Sequence, residues 1–229
     1  MNLSLNLIAI SVFLMTLSVL LGPLIHLSPV VPAIATAGVL GLATLDTFSW
    51  QGQGSTLLLD WLASFSPEHR ARVLRHEAGH FLVAHQLGIP ITGYALNAWE
   101  ALRQGHPGNG GVRFGDPELE AELQQGRLSV QRLDRYCAVW MAGIAAEDLA
   151  YGNVEGGRGD RQQLLTILFQ LGLSATQCQQ KERLALLQAK TILQENQSTF
   201  ESLLPLMEQR APVEDCLRAL EQPEEPALS

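Results

Sequence analysis

The first 69 residues contain no lysine or arginine and only three acids, Asp46, Asp60 and Glu68. All 15 basic residues and the other 20 acids lie in residues 70–229. A chain divided in this way does not read as one evenly solvated globule. It reads as an apolar leader joined to about 160 residues of ordinary domain sequence. Leu3–Leu21 has 19 residues without a charge, about 28 Å as a helix, enough for the hydrocarbon core of a bilayer. Gly22-Pro23 ends or kinks that helix. Leu24–Leu45 is a second uncharged stretch, interrupted by Pro29 and Pro32, so that only Pro32–Leu45 is free of interior proline. Residues 1–46 are therefore expected to form a membrane anchor of one or two transmembrane helices. A cleaved signal peptide fits less well, because no positive segment precedes the apolar run.

Residues 47–65 mix Trp50, Leu57, Trp61 and Phe65 with polar residues, a pattern suited to an interfacial linker. Arg70, Arg72 and Arg75 are the first cations of the chain. They bias this side of the membrane towards the cytoplasm, or the equivalent stromal or matrix side. A formal charge of −8 argues against a nucleic-acid partner, which needs a basic surface. The three cysteines, Cys137, Cys178 and Cys216, lie far apart with no CxxC pair. They read as small buried hydrophobes in a reducing compartment.

Residues 66–220 are expected to be a mostly α domain (α+β) with a small β-sheet. Ser66-Pro67 opens a helix that Gly88 and Pro90 close at about Leu87. Ile91–Asn97 and Val112-Arg113-Phe114 read as strands. Asp116-Pro117 opens a helical run that Gly126 interrupts. A longer helix follows over about Ser129–Tyr151, with Gly152 as its stop and an apolar stripe of Leu133, Cys137, Trp140, Met141 and Ile144. A glycine-rich turn, residues 155–159, precedes Asp160 and a short helix to Leu171. A further helix is expected over about Ala175–Gln197, and Ser198 to Glu201 reads as a capping box opening another. Residues 221–229 look like a disordered tail.

The most informative residues are His76, Glu77, Ala78, Gly79 and His80, the string HEAGH. Two histidines four residues apart on a helix project from one face and can share a metal ion. The glutamate beside the first can reach an activated water as general base. Gly79 permits close packing against the helix. A tetrahedral zinc site needs one more protein ligand, and two acids are candidates. Asp160 follows the glycine-rich turn, where a plain N-cap with Gln163 is the bland alternative. Glu147 shares the apolar stripe of its helix, so its carboxylate requires a polar partner. It suits either a ligand or an acceptor that orients a ligand histidine. The remaining histidines read otherwise. His85 points away from the metal face, His69 is too distant, His26 lies in the leader, and His106 sits in a loop that can line a substrate cleft.

HEAGH followed by Phe81-Leu82-Val83-Ala84, the Gly110-Gly111-Val112 strand, the run Ala142 to Asp148 and the turn ending in Asp160 together resemble the FtsH-type peptidase family (M41). That family is the zinc metallopeptidase domain of membrane-anchored AAA proteases. The resemblance covers about residues 66–220. It implies Zn2+ held by His76, His80 and Asp160, Glu77 as the catalytic base, and Glu147 supporting a ligand from behind. The family usually has arginine where this chain has Ile144, and a Ser/Asn-rich turn where it has Arg158-Gly159. The AAA module is missing too, since Gly52-Gln53-Gly54-Ser55-Thr56 lacks the phosphate-contacting lysine. The expectation is an integral membrane zinc endopeptidase that hydrolyses peptide bonds of protein or peptide substrates without its own ATPase. It would work as a homo-oligomer or in complex with an AAA-type protease. The alternative is a catalytically silent, accessory subunit of such a protease. An intramembrane protease fits poorly, because Glu68, Arg70, Arg72 and Arg75 lie on the HEAGH helix itself.

Overall fold

Apolar sequence without an interior proline gives the first helix, α1, at Leu3–Leu21. The Gly22-Pro23 pair ends it in a short 3-10 turn, Gly22–Ile25, and α2 follows at Val30–Ser49. Pro32 does not bound α2 as the sequence suggested. It is the third residue of the helix, where the backbone N–H has no intrahelical acceptor and proline is tolerated. Thr36 Oγ1 lies 3.0 Å from Met15 Sδ, joining α2 to α1. Val12, Phe13, Leu14 and Leu20 of α1 are exposed. Among the described residues, no helix is long and apolar enough to cross a membrane. The predicted span therefore rests on the sequence.

This computed structural model describes residues 3–26, 28, 30–49, 66–105, 110–116, 121–122 and 129–221. The chain forms two compact units, Met1–Pro67 with Asn97–Asn109, and Glu68–Leu96 with Gly110–Ser229. The predicted linker beyond Ser49, His106, most of the run opened by Asp116-Pro117 and the tail after Glu221 lie outside the described residues.

The second unit is mostly helical with a small sheet, as the sequence predicted. Its first helix, α3, spans Pro67–Gln86 and ends where Gly88 takes a left-handed φ of 69°. Strands β1 (Ile91–Ala95) and β2 (Gly111–Phe114) pair antiparallel, Tyr94 opposite Val112, with an irregularity between Ile91 and Gly93. Between them a short helix, α4 (Ala98–Arg103), belongs to the first unit. Asn97 caps it by accepting the Glu100 N–H at 2.7 Å, a cap that the strand reading of Ile91–Asn97 overran.

Helix α5, Val130–Tyr151, is the hub. Ser129 caps it by accepting the Arg132 N–H, and left-handed Gly152 ends it. The predicted stripe is buried, but so is every residue from Tyr136 to Glu147. Small residues at Ala138, Ala142, Gly143, Ala145 and Ala146 let neighbours close in on several sides, so this is a core helix rather than an amphipathic one. After it come α6 (Arg158–Gln170), α7 (Ala175–Glu195), α8 (Gln197–Glu208) and α9 (Val213–Glu221). Ser174 and Gln177 form a capping box on α7. The box predicted at Ser198 does not form. Asn196 is the N-cap of α8, without a side-chain bond, because α7 runs almost directly into α8. Lys181 pairs with Asp134 and Lys190 with Asp148, flanking the α5–α7 packing. Phe81 of α3 is fully buried and meets Tyr94 edge-on at 6.0 Å; burying such a ring stabilises by about 2 to 3 kcal/mol. All three cysteines are free and buried.

Candidate metal centre

HEAGH occupies the buried half of α3. Helical spacing of four sets the His76 and His80 rings edge to face, with Nε2 atoms 3.1 Å apart. Asp160, in the first turn of α6, places Oδ2 3.0 Å from His76 Nε2 and 3.6 Å from His80 Nε2. His76, His80 and Asp160 thus each offer one donor atom within 4.8 Å of the others, a group that can hold a metal ion.

The hydrogen bonds behind the rings decide what these nitrogens present. His80 Nδ1 lies 2.7 Å from the Val139 carbonyl, which only accepts, so Nδ1 carries the hydrogen and Nε2 a lone pair. His76 Nδ1 lies 2.7 Å from Glu147 Oε1. Burial opposes ionisation of Glu147, but the bonds from His76 and from the Glu155 and Gly156 N–H groups outweigh it and bring its pKa to about 2. That carboxylate accepts from Nδ1 and leaves His76 Nε2 free as well. Two lone pairs and a carboxylate oxygen converge on one point. Three electron-rich atoms so close need a positive charge among them, either a proton or a metal cation. In the metal-free chain burial disfavours the His76 imidazolium, yet its bonds to Asp160 and Glu147 and the charge of Glu77 raise its pKa to about 10. Burial likewise works against the Asp160 carboxylate, and the bonds and charges of both histidines hold it well below the usual range. An N, N, O donor set of this kind is one that zinc accepts at sites with an open position.

Glu77 is also buried. Desolvation raises its pKa, resisted by the charges of His80 and His76 and by the Val112 backbone N–H that it accepts. Glu147, only 1% exposed, has the polar partners its place in an apolar stripe demanded. Besides His76 these are Arg72 Nη1 at 3.3 Å, the Glu155 N–H at 2.9 Å and the Gly156 N–H at 3.2 Å. The structure therefore puts Asp160 with the two histidines and Glu147 behind His76.

Asp160 is not an N-cap. Gly157 holds that position with φ 73° and no side chain to bond, and a Cβ there would run into Ile144. A Cβ on Gly79 would sit 2.7 Å from the Ala142 carbonyl oxygen, which makes concrete the close packing expected of it. Sequence reasoning gave no reason for Gly143, yet a Cβ there would overlap the His76 ring. It also gave Arg72 no place in the site. Read only as one of the first cations of the chain, Arg72 is buried and paired with Glu147. Its position four residues before His76 was the signal, since the same helical spacing puts it on the ligand face. Neither His69 nor His85 joins the donor group. No family model matches the chain, and no curated protein matches it significantly.

Proposed function

We propose that this chain is a zinc endopeptidase of the FtsH-like (M41) type, anchored in a membrane through residues 1–46 and cutting protein or peptide substrates on the cytoplasmic side. The observation that carries the reading is the convergence of His76 Nε2, His80 Nε2 and Asp160 Oδ2 beside a buried Glu77. Zinc on these donors would supply a Lewis acid that polarises a carbonyl and lowers the pKa of water towards about 7. The chain's own residues do the rest. Glu77, whose proton affinity burial has raised, takes the proton of the attacking water and returns it to the leaving amine. Glu147 and the Val139 carbonyl hold the two imidazoles in one tautomer and one orientation. The anchor is supported by the absence of basic residues before Arg70 and by the exposed apolar side chains of α1.

The test is hydrolysis of casein or a fluorogenic peptide by the purified full-length chain, with and without chelator and ATP. Activity should vanish with chelator, return with zinc and ignore ATP. Activity that appears only when an AAA-type protease is added would favour the accessory reading. Zinc-loaded protein that cuts nothing under either condition would end the peptidase reading.

A further inference from the structure

We infer that Arg72 is a positioning residue for the metal centre, acting through Glu147; the inference rests on the metal-site reading above. Arg72 lies one turn before His76 on α3 and is only 6% exposed. Its guanidinium Nη1 donates to Glu147 Oε2 at 3.3 Å, to the Asn153 carbonyl at 3.3 Å and to Asn153 Oδ1 at 3.0 Å. Its Nη2 lies 3.6 Å from Glu155 Oε1, and its face covers the Tyr151 ring at 4.2 Å. Every one of these partners lies between Glu147 and Glu155, the end of α5 and the turn leading to Asp160.

A buried cation is expensive to desolvate, and an apolar side chain would pack α3 on Tyr151 at lower cost. What the guanidinium adds is a fixed plane. Glu147 is shared between two directions: Oε1 takes His76 Nδ1, and Oε2 takes Arg72 and the Glu155 N–H. With Arg72 in place, the carboxylate is held from both ends and the His76 ring is aimed. Without it, Glu147 is held only by the Glu155 and Gly156 amides, so the carboxylate and the turn that carries those amides loosen together and His76 loses its fixed anchor. Lysine reproduces this only in part: an ammonium can reach Glu147 and Asn153 as Nη1 does, but it has no plane to lie on the Tyr151 ring and no second nitrogen to face Glu155.

A double-mutant cycle on the full-length chain tests the coupling, with zinc affinity measured by chelator competition. Arg72→Met should weaken zinc binding by about 10- to 100-fold in the wild-type background. In the Glu147→Gln background the same change should cost less than about 3-fold, since the residue it acts through is already gone. Arg72→Lys should fall between wild type and Arg72→Met, and it replaces Arg72→Met in the cycle if that variant does not fold. In the metal-free variant, hydrogen exchange at the Glu155 and Gly156 amides should speed up by at least about 10-fold while the middle of α5 stays protected. Equal losses in both backgrounds, or unchanged affinity in folded Arg72→Met, would reduce Arg72 to packing and overturn the inference. A wild-type chain that binds no zinc would instead bring down the metal reading itself and this inference with it.

Discussion

The two sides of the candidate metal centre are built by opposite means. On α3, His76 and His80 face one point because a helix turns about 100° per residue, and nothing outside the helix is needed to set their spacing. Across from them, Asp160 sits in the first turn of α6, placed by the irregular turn that leads into that helix. It is held there by Glu147 accepting two backbone amides, by the left-handed Gly157 and by Ile144 packed beneath. The helical side carries its precision in its own backbone. The turn side borrows precision from residues outside the donor group. Damage should therefore propagate differently: on α3 the chemistry is lost one side chain at a time, whereas at the turn the geometry fails through its supports.

The largest contrast should come from Glu77→Gln. The glutamine keeps the shape but cannot take a proton, so peptide hydrolysis should fall by about 100- to 10,000-fold. Zinc content of the purified variant should stay at the wild-type level. Loss of zinc along with activity would mean that the helical side is less self-sufficient than its geometry suggests. Asp160→Asn is the counterpart on the turn. Zinc affinity should drop by more than about 100-fold, beyond the usual cost of losing a supporting residue, while circular dichroism stays helical. Glu147→Gln comes next, with affinity down by about 10- to 100-fold but near-stoichiometric zinc at saturation. Metal analysis of both variants decides between them. Zinc lost from the Glu147 variant and kept by the Asp160 variant would reverse their assignments.

Much of the helical side was legible because its determinants are local. HEAGH, the helix start near Ser129, the Gly152 stop and the stripe of α5 all sit within a few residues of what they control. Both acids of the site were visible as candidates, but only contacts spanning 71 and 84 residues place Glu147 behind His76 and Asp160 in front of it. Arg72's part in the site was missed for a related reason: its partners lie 75 and 81 residues away in sequence. The capping box read at Ser198 failed locally, because the pattern lies inside a helix that starts at Gln197.

The smallest expected effect concerns pH. The folded-state pKa of His76 is raised from 6.5 to about 10. The stabilisation this brings is fully present below pH 6.5 and is lost as pH rises through about 10. The melting temperature of the metal-free chain should therefore decline between about pH 7 and 10, a decline that zinc removes by taking the proton's place. An identical decline with zinc bound would show that the proton and the metal do not compete for His76.

The 84 residues between His76 and Asp160 also have a meaning in time. A ribosome adding about 5 to 20 residues per second needs about 4 to 17 s to cover that distance. Throughout that interval the HEAGH helix has only its two imidazoles to offer, a weak and open chelate. The third ligand arrives only after the whole of α5 has been made. A chain interrupted before α6 would carry the motif without the means to close the site, so synthesis itself delays the moment at which this donor group can be complete.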